Sequence, residues 1–127
     1  MADVDDGSIA DDAKLFRRIH PRLVVDDKNR SEKRPSSGAF DDSELSVDAE
    51  PLLANAGLDW HFSLKGYEGY SLVSFIASAA RGLSLPVLHK PLPDNPAHCE
   101  IHGKKTTSLA RALARASVWV HLEPSPK

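Results

Sequence analysis

The last quarter of the chain most constrains the fold, because its hydrophobic period changes twice between residues 98 and 122. The run TSLARALARA repeats leucine and alanine at helical spacing, which predicts a helix over 106–116 with Thr106 or Thr107 as the N-cap. The run SVWVHL alternates as a half-buried strand does, and HCEIH before the helix predicts another short strand. The sequence therefore predicts a strand, a glycine turn, a helix and a closing strand.

This predicted helix has two different faces. Leu109, Leu113 and Ala116 form an apolar stripe that suits a core. The other face is basic and follows the glycine turn, so the candidate ligand- or partner-binding residues are Gly103, Lys104, Lys105, Arg111 and Arg115. Free amides at the start of a helix and nearby lysines favour anions. An ordinary solvated helix face has the same pattern, so this interpretation is a hypothesis.

The string Gly-Lys-Lys-Thr at 103–106 invites comparison with the end of a nucleotide-binding P-loop. That motif requires a glycine five residues before the Gly-Lys pair, because its backbone must wrap closely around the phosphates. His98 occupies that position. The sequence therefore gives no support to hydrolysis of nucleoside triphosphates by such a loop, and only the simpler anion- or partner-binding interpretation is kept.

Charge is distributed unevenly along the 127 residues, whose net charge is −2. Residues 1–50 carry 13 acids and 8 bases, hence −5, whereas residues 51–127 carry 5 acids and 8 bases, hence +3. A chain that is nearly neutral does not attract nucleic acid through bulk charge. An anionic partner should prefer the second part of the chain. The residue patterns imply no cofactor.

The length suits one domain, which we predict to span 13–122. Five aspartates predict a disordered acidic tail at 1–12, and residues 123–127 should fray. The longest apolar stretch is too short to span a bilayer, and the acidic N-terminus does not resemble a secretory signal. The single cysteine, Cys99, fits a reducing compartment. We therefore expect a cytoplasmic protein without a membrane anchor.

Short strand patterns and turns fill the rest of the chain. A second helix is predicted over 70–81, where apolar residues recur at helical spacing before Gly82. The charged stretch at 26–38 predicts a long exposed loop, and the alternation at 58–64 predicts a half-buried strand or an extended covering loop. These elements indicate an α+β fold: a small mixed or antiparallel sheet of short strands with two main helices packed on it.

Histidines cluster around the predicted strand HCEIH. His98 and His102 would share one face of that strand, while Cys99 would point to the other. Two ligands fall short of the three or four that a metal site needs, and the spacing matches no standard zinc motif. We keep His98 and His102 as an alternative metal pair and regard hydrogen-bonded histidines as the simpler interpretation.

Three polar residues offer an enzymatic alternative. Arg18, Ser37 and Glu100 combine a guanidinium for phosphate, a nucleophile and an acidic partner on separate strand-like segments. Such residues would act on a dinucleotide or a phosphorylated substrate. Arginine and serine are common, and a loop of solvated charge has the same composition. The spacing alone therefore does not decide whether the protein is an enzyme.

Four blocks resemble a family of small uncharacterised bacterial proteins in which similar blocks follow in the same order. They are RRIHP at 17–21, RPSSGAF at 34–40, LSVD at 45–48 and NPAHCEIHGKKT at 95–106. This resemblance implies a bacterial cytoplasmic protein and brings no activity with it. A fainter resemblance to RES and ADP-ribosyltransferase-type toxins implies a nicotinamide dinucleotide held by an early arginine, a mid-chain serine and a later glutamate. The matching residues are Arg17 or Arg18, then Ser36, Ser37 or Ser46, and Glu100.

The leading functional hypothesis is a non-enzymatic binding module. Its basic surface would meet another protein or a small anionic ligand, and the basic stripe beside a helix start supports this. The two alternatives are an enzyme acting on a dinucleotide or phosphorylated substrate and a metal-binding protein.

Overall fold

A computed structural model describes residues 5–27, 29 and 32–123. The strands are β1 (Lys14–Ile19), β2 (Val24–Asp27), β3 (Glu32–Pro35), β4 (Glu44–Ala49), β5 (Ser71–Ile76), β6 (Val87–His89), β7 (His98–His102) and β8 (Val118–His121). The helices are α1 (Glu50–Asn55), α2 (Trp60–Leu64), α3 (Ala77–Arg81) and α4 (Thr107–Ala116). Two short 3-10 turns cover Pro21–Leu23 and Ser37–Phe40.

Six strands form one antiparallel sheet in the order β6-β7-β4-β1-β5-β8. The strands β2 and β3 pair with each other as a separate hairpin. The predicted α+β class is therefore confirmed, with the sheet antiparallel. The predicted C-terminal unit is also confirmed: β7, α4 and β8 follow one another, and the Thr106 hydroxyl accepts from the Leu109 amide as an N-cap.

Each face of the sheet covers its own apolar cluster, because successive side chains of a strand point to opposite faces. On one face, Leu15 and Ile101 pack with residues of α3, α4 and the second 3-10 turn. On the other face, Phe16 and Leu72 pack with residues of α1 and α2. We call these two sides the α4 face and the α1 face. The α1 face carries fewer apolar residues, and the side chains that β4 and β7 present there are polar.

The prediction of a helix over 70–81 is wrong for its first half. Ser71–Ile76 forms β5, which pairs with β1 and β8, and only α3 is helical. Val73 and Phe75 belong to the cluster on the α4 face, and Leu72 belongs to the cluster on the α1 face. A strand that is buried on both faces has a continuous apolar run, and its period does not distinguish it from a buried helix. Only one of the two main helices predicted is therefore present as a long element.

The strand or covering loop predicted over 58–64 is instead the short helix α2. The Asp59 carboxylate accepts a hydrogen bond from the His61 amide at 3.0 Å and caps this helix. Leu58, Trp60 and Phe62 are partly buried against the cluster on the α1 face. The segment does cover the core as predicted, but the aspartate that caps it favours one helical turn over an extended path.

The long exposed loop predicted over 26–38 contains the β2–β3 hairpin and a 3-10 turn. Lys33 Nζ lies 2.6 Å from the Asp26 carboxylate across the hairpin. The Trp119 indole N–H donates to the Lys33 carbonyl oxygen at 3.1 Å, which ties the hairpin to β8. The charged composition of the segment reflects solvent exposure of a strand pair, because cross-strand charges stabilise exposed strands as well as loops.

The segment predicted as a disordered acidic tail packs on the domain from Asp5 onward, and residues 1–4 lie outside the described residues. The Asp6 amide donates to the Val87 carbonyl oxygen at 2.8 Å, and Ile9 is buried. Arg81 pairs with the carboxylates of Asp5 and Asp11 at 3.0 and 2.8 Å. These aspartates are therefore counterions of α3 rather than free solvated charge. Of the predicted frayed end, 124–127 also lie outside the described residues.

Candidate functional site

The glycine turn before α4 is shaped by packing. Gly103 has φ +117, which favours glycine, and a Cβ there would lie 3.0 Å from a Leu85 methyl group, which would have to shift to make room. Lys105 is buried, and its Nζ donates to the carbonyl oxygens of Ile101 at 2.8 Å and Gly103 at 2.9 Å. Desolvation lowers the pKa of Lys105. Lys105 therefore stabilises the end of β7 and its ammonium group is already engaged.

The other basic candidates have a different environment. Lys104, Arg111 and Arg115 are exposed, and within the described part of the chain none forms a hydrogen bond or an ion pair through its side chain. In contrast, Arg17 and Arg18 each donate to backbone carbonyls, at 2.9–3.1 Å and 3.0 Å respectively. The exposed cations beside α4 are therefore available to a partner, whereas these arginines have structural partners.

The enzymatic set is not brought to one side of the sheet. Arg18 lies on the α1 face, where it donates to the Ser63 carbonyl oxygen at 3.0 Å and its guanidinium lies 4.2 Å from the centre of the Tyr67 ring. Ser37 belongs to the 3-10 turn that packs on the α4 face through Phe40. Glu100 lies on the α1 face in β7. A substrate on either face would therefore meet at most two of these three side chains.

The α1 face of the β4–β7 ladder is polar over three consecutive cross-strand pairs. These pairs are Glu44 with His102, Ser46 with Glu100, and Asp48 with His98. The opposite side of the same ladder is apolar and belongs to the core. Sequence reasoning selected His98, His102 and Glu100 but missed Glu44 and Asp48. The alternation in both strands was visible, but their mutual register depends on long-range pairing that one sequence does not reveal.

Asp48 is the most buried member of this polar ladder, with 1% of its surface exposed. Its carboxylate accepts from the Ser63 hydroxyl at 2.6 Å and from the Asn95 side-chain amide at 2.8 Å, and Arg18 Nη1 lies 3.6 Å away. A buried carboxylate is tolerated where hydrogen bonds and a cation replace its water. This arrangement joins β1, β4, α2 and the loop before β7, and so it is a structural centre.

His98 is held between two neighbours at the middle of the ladder. Its Nδ1 lies 2.8 Å from the Lys90 carbonyl oxygen, and its Nε2 lies 3.3 Å from the Ser46 hydroxyl. A carbonyl oxygen only accepts, so Nδ1 carries a proton, and in the neutral ring Nε2 accepts from Ser46. Both ring nitrogens of His98 are therefore engaged, and the structure does not place this ring in one ligand set with His102.

His102 instead converges with two carboxylates. Its Nε2 lies 2.7 Å from Glu100 Oε1 and 3.9 Å from Glu44 Oε2. One donor atom from each of the three residues lies within 4.8 Å of the other two. The His102 side chain is 9% exposed, that of Glu100 21% and that of Glu44 70%, so the cluster opens to solvent on the Glu44 side.

A second surface feature is an open groove of about 840 Å³ beside α2. Trp60 lies within it, with its ring centre 3.7 Å from that of His61 and 5.7 Å from that of His121. Each of these histidines also contacts a carboxylate two residues away, Asp59 at 3.0 Å and Glu123 at 2.7 Å. The two histidines at the rim of the groove are therefore already paired with carboxylates. The sequence patterns did not indicate this groove.

Comparison with known proteins gives no family: no protein-family model, no curated protein and no solved structure matches this chain. In the described residues, no helix combines the length and the apolar character that crossing a membrane would require. The function must therefore be argued from the residues described above.

Proposed function

We propose that the protein is a non-enzymatic interaction module whose basic α4 surface, formed by Lys104, Arg111 and Arg115, binds an acidic protein partner. The observation that carries the proposal is the availability of these three cations, which are exposed and have no described partner. The sequence between residues 103 and 122 contains four Lys or Arg residues and no Asp or Glu, so no acid within this segment neutralises them.

The shape of this surface favours a protein over a small anionic ligand. Small-molecule sites are concave and enclose most of the ligand, whereas the exposed side of a helix is convex. Arg111 and Arg115 lie one turn apart on α4 and would meet two carboxylates of a partner at similar spacing. Lys105, which the sequence grouped with them, is engaged with backbone carbonyls and is left out of the proposed surface.

A bacterial cytoplasmic setting belongs to the same proposal. The block resemblance to small bacterial proteins supports it, and so does the free, buried thiol of Cys99, since cysteines in reducing compartments stay unpaired.

The proposal is tested with a fluorescently labelled polyglutamate peptide and the full-length protein at low ionic strength. Reversing both arginines, Arg111→Glu with Arg115→Glu, should weaken the peptide affinity by about 10-fold or more, since charge pairs fix such contacts. The matched control is Arg22→Glu with Lys90→Glu, which changes net charge equally at exposed residues elsewhere. Titration of inorganic phosphate into the same proteins examines the small-ligand alternative.

The expected result is a selective loss in the α4 variant, with the control close to wild type. Equal losses in both variants would mean that only net charge matters and would contradict a defined surface. If the wild-type protein does not bind the peptide but binds phosphate through Arg111 and Arg115, the ligand of this surface is a small anion and not a protein.

A further inference from the structure

We propose that Glu44, Glu100 and His102 form a binding site for one first-row divalent transition-metal ion, with Zn²⁺ as its representative. The three residues supply two carboxylate oxygens and one imidazole nitrogen, and the donor atoms lie within 4.8 Å of one another. The site lies on the α1 face of the sheet and is independent of the basic α4 surface.

The donor separations are close to those a metal imposes. Metal–ligand bonds of about 2.0–2.2 Å place neighbouring donors about 3.0 Å apart at right angles and about 3.4 Å apart in a tetrahedron. His102 Nε2 lies 2.7 Å from Glu100 Oε1 and 3.9 Å from Glu44 Oε2. The first distance is slightly shorter than the right-angle value, and the second is slightly longer than the tetrahedral value. The Glu44 side chain is 70% exposed, which leaves it room to rotate toward the other two ligands.

The strands provide a fixed base for these ligands. Glu44 and His102 are direct cross-strand partners in the β4–β7 ladder, and Glu100 is two residues before His102 and therefore on the same face. Both strands are interior members of the six-stranded sheet. The backbone of the site is thus already ordered, so little conformational entropy is lost when an ion binds.

The donor set selects the class of ion. An imidazole nitrogen with two carboxylates suits Zn²⁺, Mn²⁺ or Fe²⁺, whereas Mg²⁺ and Ca²⁺ prefer sites made only of oxygen. Three protein ligands also leave a coordination position open, here on the exposed Glu44 side.

Charge gives a second reason for a cation. The carboxylates of Glu44 and Glu100 converge on one imidazole, and in the described part of the chain neither forms an ion pair with a lysine or arginine. Two neighbouring carboxylates repel each other, and a divalent cation between them removes that repulsion.

The test is isothermal titration of Zn²⁺ into full-length protein, with the fold of each variant checked by circular dichroism. Wild type should bind one equivalent, and Glu44→Gln should weaken binding by about 10-fold or more, because a ligand is lost. Glu44 is exposed, so this variant should fold even if Glu100→Gln, the second variant, does not. Glu50→Gln is the matched control, an exposed glutamate at the start of α1.

His121→Asn is a further control, because the histidine–carboxylate pairs beside Trp60 are the competing Zn²⁺ ligands. Selective weakening by Glu44→Gln, with both controls unchanged, supports the site. Absence of wild-type binding at micromolar Zn²⁺, equal binding by Glu44→Gln, or loss of the bound equivalent in His121→Asn would each overturn it.

Discussion

The Lys105 ammonium group lies 2.8 Å from the carbonyl oxygen of Ile101, at the end of β7, and 2.9 Å from that of Gly103. The cation is thus used inside the protein, where two backbone carbonyl oxygens replace the water around its ammonium group. Lys104, its neighbour in sequence, is exposed. Two adjacent lysines with the same sequence signal therefore have different roles, which can be separated by mutation.

We expect Lys105→Ala to lower the free energy of unfolding by about 2 kcal/mol, because two hydrogen bonds from a charged group to backbone carbonyl oxygens are lost. Lys104→Ala should stay within about 0.5 kcal/mol of wild type, as exposed substitutions do. Urea unfolding followed by tryptophan fluorescence measures both variants. Similar losses at the two positions would contradict the inward role assigned to Lys105.

A larger effect is expected for Asp48, which connects four segments of the fold. Asp48→Ala leaves Arg18 without its carboxylate and removes the acceptor of Ser63 and Asn95. Breaking a buried ion pair on one side costs about 3–5 kcal/mol, so the variant should be barely stable or unfolded. Ser63→Ala removes one hydrogen bond and should cost about 1 kcal/mol. Urea unfolding of the two variants gives the comparison, and equal costs would contradict this ranking.

The sequence predicted the elements whose pattern is decided locally. The amphipathic period and the threonine cap of α4 need no distant contact, and β8 forms where the sequence predicted a strand. The sequence-based prediction failed at Ser71–Ile76, because a strand buried on both faces lacks the alternating pattern that identifies a strand. The fold class was predictable because several short alternating runs require a sheet. The error over one helix does not change that class.

The candidate sites were less predictable, since they depend on register. His102 was selected as a metal ligand, but its expected partner His98 is engaged elsewhere, while Glu44 reaches it across the β4–β7 ladder. A shift of that ladder by one residue would send Glu44 to the apolar core. No local rule relates position 44 to position 102, so this contact appears only when the sheet is assembled.

Arg17 provides a test of a partly buried guanidinium. Its Nε donates to the Ala39 carbonyl oxygen at 2.9 Å and its Nη1 to the Ser46 carbonyl oxygen at 3.1 Å, and desolvation lowers its pKa. Lysine carries a single ammonium group in place of the two guanidinium nitrogens that make these bonds, so it does not reproduce their fork geometry. We expect Arg17→Lys to cost about 1–3 kcal/mol in urea unfolding, because a hydrogen bond from a charged donor to a backbone carbonyl is lost. Arg22→Lys, at an exposed arginine, is the control and should be neutral.

The buried thiol of Cys99 predicts a loss of stability in alkaline solution. Desolvation raises its pKa from 9.0 to about 12, and the negative charge of Asp48 adds to the shift. The native state therefore keeps the thiol proton where the unfolded chain has lost it. Its contribution to stability is complete below pH 9 and is lost as the pH rises from 9 toward 12, by about 1.4 kcal/mol per pH unit.

Replacing the cysteine isolates this single proton from the other groups that titrate in alkali. Cys99→Ala should unfold with a shallower dependence of stability on pH between 9 and 11, and the difference from wild type should follow the slope just given. Lysines and tyrosines contribute equally to both proteins and cancel. The same burial should protect the native thiol from an aromatic disulfide reagent at pH 8, with labelling only when urea unfolds the chain. Rapid labelling of the native protein, or identical pH slopes, would show that the thiol is accessible.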